Sequence, residues 1–246
     1  MIALIDSGVG GLNVLYTIKE LQPDIRTIYI ADNRHFPYGT KSTIEVVEAI
    51  GQCLDGIRTF EVDSIYIACH TASIALEGGP LCVQTITGTT KELIYQHATK
   101  GTVAILGSLA TIDSGYYQTH FQLAGAKIVE GFAEQNLIAL IEEQCEDFEL
   151  LKEELKPLIQ FEPETILLGS THFSTILPIL KDLFPHATIL DPAPAFAEKI
   201  VRENTPFKPT DLSEDLFITT KHNPKFLQLL QKNPINNLLK KGVGRV

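Results

Sequence analysis

Positive charge is scarce in this chain. Twenty Lys and Arg stand against thirty Asp and Glu, a net charge of −10. A surface with that balance repels nucleic acid, which excludes a DNA- or RNA-binding role. Three short basic stretches, at 152–156, 221–225 and 240–245, read as solvated helix faces and a terminus. Long apolar runs are also missing, and none approaches the roughly 18 residues that suggest a membrane span. The N-terminus opens into Ile2-Ala3-Leu4-Ile5 with no basic region and no cleavage site. It reads as a strand rather than a signal peptide, so the expected compartment is the cytosol. The four cysteines, Cys53, Cys69, Cys82 and Cys145, match neither a zinc spacing nor CxxC. They fit free thiols in a reducing compartment. A dinucleotide fingerprint is missing too. The glycine-rich segment at the N-terminus has Asn13 where the last glycine of GxGxxG belongs, and it is not a P-loop.

What is present is an α/β pattern. The 246 residues are 44 % apolar, enough for one large domain or two smaller ones. Short apolar runs predict strands at Ile2–Ile5, Thr27–Ala31, Ser64–Ala68, Leu81–Thr85, Val103–Leu106, Lys127–Gly131, Thr165–Leu168 and Thr188–Leu190. Several are apolar throughout, as in a parallel sheet covered on both faces. Amphipathic stretches predict helices at Leu12–Leu21, Thr43–Arg58, Thr90–His97, Gly115–Ala124, Gln135–Ile141, Phe148–Ile159, Ser174–Phe184 and Pro194–Glu203. A turn-rich stretch at Pro206–Pro209 precedes a strand at Leu216–Thr220 and a helix from Pro224 to about Lys232. Strand–helix alternation argues for βαβ units.

One spacing recurs. Ile2–Ser7 lies 101 positions before Val103–Ser108, and Ile65–Cys69 lies the same distance before Ile166–Ser170. Two similar α/β halves follow from that offset.

Ligand groups in such folds sit beyond the carboxyl ends of parallel strands, and four segments occupy that place. Asp6-Ser7-Gly8-Val9-Gly10-Gly11 is a tight turn whose amides suit an anion; its glycines also suit positive φ. Asp32–Lys41 is a turn-rich loop, rigid at Pro37 and free to bend at Gly39. Cys69-His70-Thr71-Ala72-Ser73 puts a thiol at a helix start, where its pKa is expected below the free value. Thr71 and Ser73 could hydrogen-bond a carboxylate there. Gly169-Ser170-Thr171-His172-Phe173 is the counterpart in the second half, with His172 as an acid or base group. Asp191 is a further strand-tip carboxylate.

Together these segments resemble the glutamate racemases, within the aspartate/glutamate racemase superfamily. Asp6–Leu12 is similar to the family's opening DSGVGGL, and Pro37-Tyr38-Gly39 lies in a segment like VPYGTKS. Ala68–Ser73 resembles ACNTAS with His70 in place of Asn. Thr111–Tyr116 resembles TVxSGxY. Gly169–Phe173 resembles GCTHF with Ser170 in place of Cys. Asp191-Pro192 falls where the family reads like IDS.

The resemblance implies two pseudo-symmetric parallel-sheet α/β domains, with the active site in the cleft between them. It places 1–92 plus 208–246 in the first domain and 93–207 in the second. It implies interconversion of glutamate enantiomers, supplying D-glutamate for peptidoglycan, without pyridoxal phosphate, other cofactor or metal. It also implies a homodimer. Cys69 would deprotonate the D-enantiomer, the residue at position 170 the L-enantiomer, and Asp6 and His172 would assist the two sides. Ser7, Pro37, Tyr38, Gly39, His70, Thr71, Thr111 and Thr171 match positions near the substrate.

Ser170 is the departure that matters. Racemisation needs a competent acid–base group on each face of the α-carbon, and an unassisted hydroxyl is a far poorer base than a thiolate. Three accounts stay open. One is a racemase-like enzyme using Ser170 with His172, or a one-cysteine isomerase or lyase. Another is a diverged homologue that binds an amino acid or dicarboxylate and turns over little. The third is a racemase into which a Cys→Ser change has been introduced.

Overall fold

The computed structural model describes residues 1–79, 82–97, 100–204, 215–221, 223–232 and 241–245. In the first half, β1 (Ile2–Asp6), α1 (Leu12–Leu21), β2 (Thr27–Ala31), α2 (Thr43–Gly56), β3 (Ser64–Ile67), α3 (His70–Ala75), β4 (Gln84–Thr85) and α4 (Ile86–Gln96) follow one another. The second half runs β5 (Thr102–Gly107), α5 (Leu109–Asp113), α6 (Tyr116–Leu123), β6 (Ile128–Ala133), α7 (Gln135–Glu142), α8 (Phe148–Glu154), α9 (Lys156–Phe161), β7 (Thr165–Gly169), α10 (Leu177–Leu183), β8 (Thr188–Leu190) and α11 (Pro192–Glu203). The chain closes with β9 (Asp215–Thr219), α12 (Pro224–Lys232) and β10 (Lys241–Arg245).

Two parallel sheets result, ordered β10-β9-β2-β1-β3-β4 and β6-β5-β7-β8. Their shared centre carries the repeat. Ile5 pairs with Ile67 in the first sheet, and Leu106 with Leu168 in the second, so the 101-residue offset preserves register. The uniformly apolar strands are buried on both faces. Ile2 and Leu4 face one core with Val14, Leu15 and Ile18 of α1, while Ala3 and Ile5 face another with Val46, Ala49 and Ile50 of α2. In the second sheet Ala104 and Leu106 pack with Leu137 and Ile141 of α7, and Val103 and Ile105 with Tyr117 and Phe121 of α6.

Most predicted elements recur within a residue or two, and the exceptions have local causes. The helix expected over 148–159 is two helices. Pro157 has no N–H to continue the helical hydrogen-bond ladder back to Glu153, so α8 stops and α9 restarts with the proline in its first turn. The helix expected from Thr90 begins four residues earlier, at Ile86. The strand expected at Leu81–Thr85 is only Gln84–Thr85 within the described residues. The stretch at 206–209 lies outside them. Strand β10 was not expected, since Gly242 and Gly244 give it a weak strand signal.

The two lobes are bound by elements that serve both. Helix α4 puts Ile86 into a first-sheet core and Ile94 into a second-sheet core. Helix α11, read from sequence with the second half, buries Phe196, Ala197 and Ile200 against α1. Strand β9 pairs with β2 in the first sheet. Its start is pinned by a buried ion pair. Lys19 Nζ lies 2.6 Å from Asp215 Oδ1 and also donates to the Ile25 carbonyl. The same carboxylate oxygen accepts from Thr27 N and Oγ1, both at 2.8 Å.

Removing one partner of a buried ion pair leaves the other charge uncompensated. Asp215→Ala should therefore lower stability in urea unfolding by about 3–5 kcal/mol, whereas the apolar pair Lys19→Met with Asp215→Leu should cost far less.

Candidate active site

Strand tips of both sheets converge on one cavity. The repeat offset pairs Ser7 with Ser108 and Cys69 with Ser170, and all four line it. Pro37, Tyr38, Gly39, His70, Thr71, Thr171 and His172 complete the predicted residues on its wall. Asp6 and Thr111 sit behind that wall, each one hydrogen bond away. Asp191 is elsewhere, accepting from Ala193 N and Ser174 Oγ as the cap of α11. Free volume within the cavity is about 20 Å³, the scale of a single water molecule. In this conformation the lobes leave no room for a molecule as large as an amino acid.

The glycine turn achieves close approach rather than positive φ. None of its glycines has φ in the left-handed region. A Cβ on Gly8 would stand 2.3 Å from Glu142 Oε2, and one on Gly10 would stand 2.4 Å from Thr171 Oγ1 and 2.7 Å from His172 Nδ1. Its amides do meet anions, but these are the protein's own. Gly8 N donates to Asp6 Oδ1 at 3.1 Å, and Val9 N to Glu142 Oε2 at 2.9 Å.

Glu142 was not singled out from sequence. It lies at the end of α7, four residues after Ile138 on the helix's apolar face, so helical spacing is the signal that could have found it. Only 6 % exposed, it bonds His172 Nε2 at 2.8 Å and accepts from Asn33 Nδ2 at 3.4 Å. The other ring nitrogen, Nδ1 of His172, is 3.4 Å from Ser170 Oγ. A hydroxyl, an imidazole and a carboxylate therefore form one chain ending in the cavity. Phe36, Ser108, Ile138 and Gln135 also line the cavity without having been predicted as site residues. Phe36 precedes a cis Pro37 and lies near the His172 ring, with centroids 5.8 Å apart.

The Cys69 side is built differently. Cys69 caps α3, and its Sγ is 3.8 Å from Ser7 Oγ. The thiol was expected below its free pKa, and the structure reverses that direction. Burial pushes it up to about 12, helped by the Asp6 carboxylate and opposed by the Ala72 and Thr71 amides and Ser7. Desolvation outweighs the helix terminus and the hydrogen bonds at the sulfur. Next to it, Thr71 Oγ1 meets Ser108 Oγ at 2.8 Å and Thr111 Oγ1 at 3.2 Å, joining the lobes through hydroxyls. His70 is held neutral, its pKa pushed down to about 3 by burial. Tyr38 donates to Asp32 Oδ2 at 2.7 Å, and that carboxylate also holds His35.

Fold and site thus define a two-lobed α/β protein whose matching strand tips enclose acid–base groups in a closed interdomain cavity. Residues 13–200 match the family model described as Asp/Glu/Hydantoin racemase, and the chain belongs to that family. Its relatives include glutamate racemases of Lactobacillus acidophilus, 30 % identical over 93 % of this chain and 91 % of that protein, and of Persephonella marina, 29 % identical over the same shares. Glutamate racemase of Escherichia coli shares the fold with a TM-score of 0.82, at 24 % identity over 100 % of this chain and 98 % of that one. A Bacillus anthracis glutamate racemase isoform does so at 0.85 and 24 %, over 100 % and 97 %. Among the described residues no helix is long and apolar enough to cross a membrane.

Asp6 yields a test of this electrostatic arrangement. Burial raises its pKa to about 6 against the opposing pull of His172, the Gly8 amide and Thr171. The folded protein holds this proton more tightly than the unfolded chain. Stability from neutral Asp6 is thus complete below about pH 4 and is lost as pH rises through about 6, a loss of about 3 kcal/mol. Asp6→Asn should remove it. Urea unfolding should show the variant gaining about 3 kcal/mol relative to wild type between about pH 4 and pH 7.5.

Proposed function

We propose that this protein is a cofactor-independent racemase of an acidic amino acid, glutamate above all, with a rebuilt second acid–base group. The observation that carries the reading is the Glu142–His172–Ser170 chain reaching the same cavity as Cys69. Working as a homodimer in the cytosol belongs to the same reading.

Chemically, the missing thiol at position 170 is offset by the imidazole behind the hydroxyl. When the L-enantiomer is bound, the α-proton passes to Ser170 as the hydroxyl gives its own proton to His172, and Glu142 stabilises the imidazolium that forms. Cys69, a neutral thiol in the closed form, then delivers its proton to the other face of the carbanion. In the reverse direction a thiolate at Cys69 takes the α-proton of the D-enantiomer, and Ser170 returns one supplied by His172. The thiolate needs help against burial. The ammonium group of a bound amino acid adds a positive charge beside the sulfur and so favours ionisation. General acid–base assistance of this kind is worth about 10²–10⁴-fold.

A diverged binding protein is the second reading, favoured by the weak 3.4 Å contact between Ser170 and His172. Heavy water separates the two. With D-glutamate, the α-hydrogen should exchange with solvent faster than the enantiomer inverts, because abstraction by the Cys69 thiolate, once the ligand's ammonium has favoured it, outpaces return of a proton from the Ser170 side. Proton NMR follows exchange and circular dichroism follows inversion. Equal rates would overturn the asymmetry, and neither process in the presence of measurable binding would favour the binding protein. Ser170→Cys should raise inversion at least about tenfold, and His172→Asn should lower it by about 10²-fold or more while sparing exchange of the D-enantiomer.

A further inference from the structure

Two polar atoms of cavity-lining residues are buried without a partner, Nε2 of His70 and Oε1 of Gln135. A buried polar atom left unsatisfied costs free energy, so a recurring occupant that pairs with it is the natural remedy. The Gln135 amide has a terminal group that rotates between oxygen and nitrogen. His70 has no such freedom. Its Nδ1 is 2.6 Å from the Tyr117 hydroxyl, and the two rings meet edge-on at 73° with centroids 5.6 Å apart. Both side chains are buried, at 2 % and 0 % exposure. Turning the ring would break the Tyr117 bond, so Nε2 remains the nitrogen that is unpaired.

Two further facts define what this nitrogen can meet. Among the described residues no Lys or Arg lines the cavity, and of its two imidazoles that of His172 is bonded to Glu142. Carboxylates of a ligand must therefore be held by uncharged donors. His70 also stands at the first position of α3, where the free amides of the helix start disfavour imidazolium, in line with its neutral state.

Resting on the function proposed above, we propose that His70, positioned by Tyr117, determines which acidic amino acid the cavity accepts. With the Tyr117 hydroxyl donating to Nδ1, Nε2–H donates to a substrate carboxylate, and the ring limits the length of side chain admitted. Where the glutamate racemase pattern has the smaller Asn, this chain has the bulkier imidazole on the cavity wall, so the shorter aspartate is tolerated better against glutamate.

Steady-state kinetics on wild type, His70→Asn and Tyr117→Phe, with both enantiomers of glutamate and aspartate, test this. His70→Asn should raise the glutamate-to-aspartate ratio of kcat/KM at least about tenfold, a change of about 1.4 kcal/mol in relative transition-state binding. Tyr117→Phe should raise KM about tenfold with kcat altered less than about twofold, because it loosens the ring without removing it. In ¹⁵N-histidine NMR, the His70 Nε2 resonance should shift on saturation with D-glutamate and be missing from the spectrum of His70→Asn. An unchanged ratio in folded His70→Asn, or an unmoved Nε2 resonance under saturating ligand, overturns the assignment. α-Hydrogen exchange by the wild type reports on the broader reading separately. Exchange with an unchanged ratio sinks only the role of His70, whereas no exchange on either amino acid sinks the racemase reading and leaves the NMR shift to decide whether His70 binds.

Discussion

The rest of the site depends on one buried carboxylate that two lobes must share. Glu142 belongs to the second lobe, yet it accepts from Val9 and Asn33 of the first while bonding His172 of its own. A buried carboxylate is tolerated only when its oxygens are well supplied with donors, and here the supply is complete only when the lobes are together. Thr171 Oγ1 on Asp6 Oδ2 at 3.1 Å, and Asn13 Nδ2 on the Thr171 carbonyl at 2.9 Å, repeat the pattern across the same seam. Closure, carboxylate satisfaction and alignment of His172 are therefore one event. The glycines of the N-terminal turn make that event sterically possible, since any Cβ at Gly8 or Gly10 would occupy space that Glu142, Thr171 and His172 fill.

Closure also sets the protonation states. Around a cavity of water size, desolvation dominates the nearby groups. It raises the Cys69 thiol to about 12 and Asp6 to about 6, and lowers His70 to about 3. Each shift favours the uncharged form, the expected direction for burial. The resting site is thus short of mobile charge, and a zwitterionic ligand supplies much of what its chemistry requires.

The repeat explains the geometry, and its imperfection explains the individuality of this chain. Duplicate strands in duplicate register deliver Ser7 with Cys69 and Ser108 with Ser170 to a common centre. Their surroundings then diverge. Cys69 meets the Ser7 hydroxyl and the amides of its own helix start, while Ser170 lies at the end of an imidazole–carboxylate chain.

Much of this was legible in the residues alone. Apolar runs such as Ile2–Ile5 and Thr165–Leu168 determined parallel strands, because only a sheet covered on both faces accepts side chains that are apolar on both. Recurrence at 101 positions determined the two-fold architecture, and the spacing of Asp6, Cys69, Ser170 and His172 marked the strand tips where ligands sit. Other features depend on contacts between residues far apart in the chain. Helical spacing puts Glu142 on the apolar face of α7 with Ile138, but that this face meets the glycine turn of the other lobe is decided only in the fold. His70 meets Tyr117 across 47 positions. The Cys69 thiol went the other way from the local expectation because a helix terminus is written in the sequence, whereas the depth of burial that overrides it exists only once both lobes have folded and met.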